Sequence, residues 1–141
     1  MPNYIYVRGK NFADTQTLAS AVIYWAYEKQ LSDPNTWQQL ETSGGATVSP
    51  LVADADGIAV TQTPFVWGPE APSTGNPYVL IAVVYDNDYP NPVPDYQTSH
   101  SDLSFNMWQA SLGGVASLQL AVPAPPKKKT TYSFTGSFDL K

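Results

Sequence analysis

Between Tyr78 and Tyr85 the chain reads YVLIAVVY, with no charged or strongly polar side chain. Gly75-Asn76-Pro77 precedes this run and Asp86-Asn87-Asp88 follows it. An apolar stretch rich in Val and Ile and closed at both ends by turn formers predicts a central strand buried on both faces. The other apolar segments are shorter. Tyr4–Val7 alternates, with Ile5 and Val7 on one face, and Arg8-Gly9-Lys10-Asn11 is expected to turn the chain. Ser20–Tyr27 is β-branched and aromatic and reads as a strand, in competition with a helix over Thr15–Gln30. Thr36–Glu41, anchored by Trp37 and Leu40, Thr47–Val52 and Ile58–Trp67 come next as strands. Pro50 places the second of these at a sheet edge, because proline cannot donate to a ladder. The segment from Asp86 to Asp102 reads as a long loop. It leads into LSFNMWQA (Leu103–Ala110), expected as a strand with Leu103, Phe105 and Met107 on one face.

Short strands separated by Pro and Gly turns predict an all-β fold, an immunoglobulin-like antiparallel β-sandwich of about seven strands. Extra strands are expected at the C-terminus. Ser117–Val122 alternates, Pro123–Lys129 forms a stiff connector, and Tyr132, Phe134, Phe138 and Leu140 recur at even spacing. The expected organisation is a sandwich over 1–122, a Pro/Lys connector over 123–129 and an additional strand over 130–141. That last strand needs a sheet edge, which its own domain, another subunit or a following domain can supply.

Composition agrees with this reading. The 141 residues suffice for one domain with a core of its own. The charged fraction of 13% is about half the usual ~25%. No cysteine is present, which removes disulfides and thiolate metal sites. A net charge of −5 and a pI near 4.5 argue against a nucleic-acid partner. No run approaches the ~18 apolar residues of a membrane span. The first residues lack the charged and apolar regions of a secretory signal, so location is open, extracellular or at the cell surface if the chain belongs to an exported protein.

NYIYVRGKNFADTQTLASAVIYWAY, TPFVWGP, NPYVLIAVVYDNDYP and FNMWQASL together resemble the bacterial cell-adhesion-related immunoglobulin-like domains. These open on a Val-Arg-Val strand with an Asn-Gly turn and continue to a strand ending in Tyr-Trp-Ala. The likeness spans roughly Asn3 to Leu112 and consists of core and turn residues. Gly9-Lys10-Asn11-Phe12 departs from the family's usual Asn-Arg-Gly. The resemblance implies a non-catalytic adhesion or accessory module and transfers no catalytic residue.

Candidate chemistry is sparse. His100 is the single histidine and is expected to be a solvated loop residue, since its neighbours Ser99, Ser101 and Asp102 point apart on an extended chain. One His and no Cys exclude the common zinc sites within one chain. If the strands run up and down in order, three loops meet at one pole. They bring Glu28, Asp33, Asp54, Asp56, Asp86, Asp88, Asp95 and Asp102 together, with Arg8 and Lys10 at the opposite end. Three roles fit such a pole: a Ca²⁺ site centred on Asp54 and Asp56, a complementary surface for a positive patch on a partner or second copy, and turn chemistry alone. Apart from that possible calcium, no cofactor is implied. Tyr89 and Tyr96, set among prolines and aspartates, are the candidates for exposed contacts, with Asp86 and Asp88 beside them. The expectation is therefore a non-enzymatic module binding a protein or a glycan, with a homo-oligomer through the C-terminal strand as a further possibility. The alternative is a carbohydrate-binding module, calcium-dependent or not.

Overall fold

A computed structural model describes residues 3–11, 14–68, 76–99, 102–120 and 131–138. In chain order its strands are β1 (Asn3–Asn11), β2 (Thr17–Tyr27), β3 (Gln38–Gln39), β4 (Glu41–Thr42), β5 (Ser49–Ala53), β6 (Ile58–Val60), β7 (Phe65–Trp67), β8 (Tyr78–Tyr85), β9 (Val115–Leu120) and β10 (Thr131–Phe138). Two short helices, α1 (Val93–Thr98) and α2 (Phe105–Ala110), separate β8 from β9. His100 and the connector 123–129 lie outside the described residues.

One sheet has the order β10-β1-β7-β4 and the other β3-β2-β8-β9. All pairings are antiparallel except β1 with β10. The expected all-β sandwich is present. Ile5, Val7, Phe65 and Trp67 of the first sheet and Ala21, Ile23, Leu51 and Leu80 of the second form one buried cluster. β8 lies between β2 and β9 and is buried along nearly its whole length, as its unbroken apolar run predicts.

Several local expectations are corrected. β1 continues through the supposed turn at Arg8–Asn11, because its alternation is never broken: Gly9 and Asn11 face inward while Arg8 is exposed. The side-chain amide of Asn11 is satisfied there by the carbonyls of Thr15 (2.9 Å), Asp54 (3.3 Å) and Ala53 (3.4 Å). Ile58–Trp67 is one edge of β1 interrupted in the middle. β6 and β7 both pair with β1 on the side away from β10, and Thr63 leaves the ladder to exchange hydrogen bonds with the Ser49 hydroxyl.

Thr36–Glu41 and Thr47–Val52 are not a hairpin. β3 and β5 are both antiparallel to β2 and share its edge away from β8. They therefore run in the same direction, and the chain between them crosses to the first sheet to form β4. Pro50 does sit on an edge strand, opposite Ser20. The C-terminal strand finds its edge within the chain, where Thr131–Phe138 lies parallel to Tyr4–Asn11.

The largest departure is between β8 and β9. Leu103–Ala110, expected as a strand, contains α2, and the supposed loop contains α1. In each helix two buried residues stand three apart, Val93 with Tyr96 and Phe105 with Trp108. That spacing shares a face on a helix and splits between faces on a strand. The Ser104 hydroxyl caps α2 by accepting the Met107 N–H at 3.3 Å. Met107, expected on the buried face, is 64% exposed. The helices cover the outer face of the second sheet, where Val22, Tyr24, Val79, Ile81 and Val83 meet Trp37, Tyr96, Phe105 and Trp108. A second core thus buries β8 from its other side.

Candidate functional site

The registers define two ends. Ala53 pairs with Thr17 and Tyr85 with Ser20. The Asp54–Gly57 turn and the Asp86 loop therefore leave the sheet at the Thr17 end, on opposite sides of β2. Glu28 and Asp33 come after the other end of β2, where the Glu28 N–H donates to the Pro77 carbonyl at 3.0 Å. The expected single acidic pole is thus divided, because β3 and β5 run in the same direction. Nor does Lys10 stand at the opposite end from the aspartates. Its ammonium donates to the Asp56 carbonyl at 2.8 Å.

The turn at Asp54 is tightly engaged. Its carbonyl accepts the Gly57 N–H at 2.7 Å, and its carboxylate accepts from the Gln16 amide at 3.0 Å. Asp56 occupies the left-handed region with φ of 54°, a conformation that Asp tolerates better than most residues. A Cβ on Gly57 would stand 2.9 Å from the Asp54 carbonyl oxygen. Among the described residues, no three of His, Cys, Asp and Glu converge as a metal group would require.

The Asp86 loop is built differently. One carboxylate oxygen of Asp86 accepts the backbone N–H groups of Asp88 (2.9 Å) and Tyr89 (2.7 Å), and the Asp86 N–H donates to the Tyr89 carbonyl at 3.1 Å. This closes the loop and fixes the base of Tyr89. Asn91 anchors its far side, donating to the Tyr24 hydroxyl at 3.0 Å and accepting the Val93 N–H at 3.0 Å. Tyr89 stands out from this pinned loop and is 49% exposed.

Beneath it opens a cleft of about 420 Å³. Tyr89, Pro90 and Pro92 line one side and Leu112 and Val115 form the second wall, and Asp88 is also among the lining residues. The second wall depends on Gly114. A Cβ there would collide with the Val84 carbonyl oxygen, and the Gly114 carbonyl accepts the Val84 N–H at 2.8 Å. Only glycine permits this approach.

Of the candidate contact residues, Tyr89, Asp86 and Asp88 share this loop, and Tyr96 does not join them. Tyr96 is fully buried, stacked on Trp108 at a centroid distance of 4.4 Å, and its hydroxyl donates to the Leu103 carbonyl at 2.7 Å. Burial raises its pKa above 10, the Ser32 hydroxyl lowers it in part, and Asp102 adds to the rise. Tyr24, which anchors Asn91, is likewise raised, first by burial. Tyr96 is therefore a core residue of the second cluster and not an exposed contact. Sequence reasoning missed Leu112 and the Gly113-Gly114 turn as cleft residues. Their only signal was a Gly pair before an alternating segment, which reads equally as a plain turn.

No family model, curated protein or solved structure significantly matches this chain.

Proposed function

We propose that the chain is a non-enzymatic binding module, serving adhesion, assembly or accessory recognition in a larger bacterial protein or complex. The observation that carries this reading is the exposed Tyr89 held on a pinned loop above an apolar cleft. An aromatic ring with few rotatable bonds, presented on a rigid scaffold, supplies contact area at low entropic cost. The non-catalytic part of the reading rests on the sequence, with its single histidine and no cysteine. Kinship with the cell-adhesion-related immunoglobulin-like domains, and a place at the cell surface, belong to the same proposal. Tyr89→Ala should abolish partner binding without moving the thermal midpoint. Turnover of a substrate that is lost in His100→Ala would overturn the reading.

A second reading is a carbohydrate-binding module. It is supported by Tyr89 standing beside the carboxylate of Asp88, an aromatic platform with a hydroxyl-binding acceptor. Binding to a glycan array that disappears in Tyr89→Ala supports it, and a silent array counts against it. Loss of that binding in EDTA, with a rise in thermal midpoint on adding calcium, would make the module calcium-dependent.

A further inference from the structure

We propose that the cleft below Tyr89 binds the proline- and lysine-rich segment Val122–Thr130 of a second copy of this chain, joining copies head to tail. The inference deepens the binding-module reading and rests on it.

Both surfaces are unusual in this chain, and they are complementary. The segment reads VPAPPKKKT and contains three of the seven basic residues. The cleft is walled by Tyr89, Pro90, Pro92 and Leu112 with Asp88 at its rim, and none of the residues lining it is basic. Asp86 lies in the same loop. Proline-rich peptides enter binding already extended in a left-handed helix, lose little conformational entropy, and dock in grooves lined by aromatic rings. A carboxylate at the rim then selects ligands in which a cation comes after proline.

Topology decides between the chain's own segment and that of a neighbour. Leu120 pairs with Tyr78, and Tyr78 with Tyr27, so β9 ends at the far end of the sandwich from the cleft. Thr131 pairs with Tyr4. That is also the far end, because the last residues of β1 contact the Asp54 turn. Leu120 and Thr131, which flank residues 121–130 in the sequence, thus both stand at the pole opposite the cleft. Val115, in the cleft wall, is separated from Leu120 by a strand run of about 17 Å. Reaching the cleft and returning needs about 34 Å, and the eleven intervals from Leu120 to Thr131 span about 34 Å in a proline-type helix, which leaves no length to lie along the cleft. The segment cannot lie in its own cleft. A neighbour meets no such restriction. Pairing one pole with the opposite pole of the next copy is a heterologous contact, which gives open chains unless the rotation happens to close them.

The test has two parts. A synthetic Val122–Thr130 peptide is titrated into the protein while backbone amide resonances are recorded. Mass is then measured over a concentration series. The expected result is peptide-dependent shifts at Tyr89, Leu112 and Val115, weakened about tenfold or more by Tyr89→Ala or Asp88→Lys and reduced by salt. The mass should rise with concentration through a series with no fixed endpoint. A peptide with Lys127, Lys128 and Lys129 all changed to Glu should fail on the wild-type protein and regain binding on Asp88→Lys. Both altered cleft positions are exposed, and an unchanged thermal midpoint shows that the variants are folded. A silent peptide, or binding indifferent to Asp88 and Tyr89, overturns the proposal. So does an oligomer that survives Asp88→Lys but is lost on deleting 131–141, which would assign association to exchange of β10. If the peptide is silent while a glycan or a different protein still binds through Tyr89, self-docking fails and the binding-module reading stands.

Discussion

The Asp54–Gly57 turn and the Asp86–Pro92 loop leave the same end of one sheet, on opposite sides of β2, and both are rich in aspartate. Their carboxylates do different work. At the first, Gln16 and the Gly57 N–H bind Asp54, the Lys10 ammonium binds the Asp56 carbonyl, and the turn closes on itself. At the second, Asp86 spends one oxygen on two backbone N–H groups and holds a tyrosine ring clear of the surface. The difference comes from the elements to which each connection leads. Asp54 opens a tight connection from β5 to β6 that its own hydrogen bonds close. Asp86 opens a loop that lines a cleft together with Leu112–Val115. Acidic composition marks a good turn in both places, and only the packing beneath distinguishes a turn from a site.

That contrast can be broken first from below. Trp108→Ala removes the ring stacked under Tyr96 and should cost about 3–5 kcal/mol, read from the denaturant midpoint, with loss of cleft binding. Met107→Ala, one residue away and exposed, should stay within about 0.5 kcal/mol. Gly57→Ala tests the closed turn. Its Cβ meets backbone rather than a movable side chain, so a loss of about 1–3 kcal/mol is expected, with the cleft unaffected. Asp86→Ala tests the open loop and should cost about 1 kcal/mol. Its larger effect should be on binding, because Tyr89 is no longer held.

Alkaline titration gives a finer comparison. Tyr24 and Tyr96 are both buried in the second core, and both have native pKa values above 10. Above pH 10 the unfolded chain releases their protons while the native protein retains them, so stability falls as pH rises through that window. Below pH 10 both states are neutral and this contribution is constant. Unfolding midpoints should decline in step with tyrosinate absorbance, and Tyr24→Phe should flatten part of the decline.

Much of the fold was legible because one local rule governs it. Alternation and apolar runs located β2, β5, β8 and β9 to within a few residues, and burial of β8 on both faces came from its having no polar side. Pro50 at an edge came from its missing N–H. The same rule failed at Leu103–Ala110, where aromatic residues suggested a strand while the three-residue spacing of Phe105 and Trp108 and the cap at Ser104 specified a helix. It also failed at Arg8–Asn11, where polar residues looked like a turn but alternated inward and outward in register.

The sequence alone determined the class of fold and the central strand, because each depends on side-chain type and on spacing within one segment. Tertiary structure decided the rest. The shared direction of β3 and β5 divided the acidic residues between two ends, burial turned Tyr96 from a contact into a core residue, and the approach of Leu112–Val115 to the Asp86 loop formed the cleft. Those outcomes depend on which distant segments occupy the two edges and the outer face of a sheet. Residues far apart in the chain compete for the same apolar surface there, and no local pattern records the result.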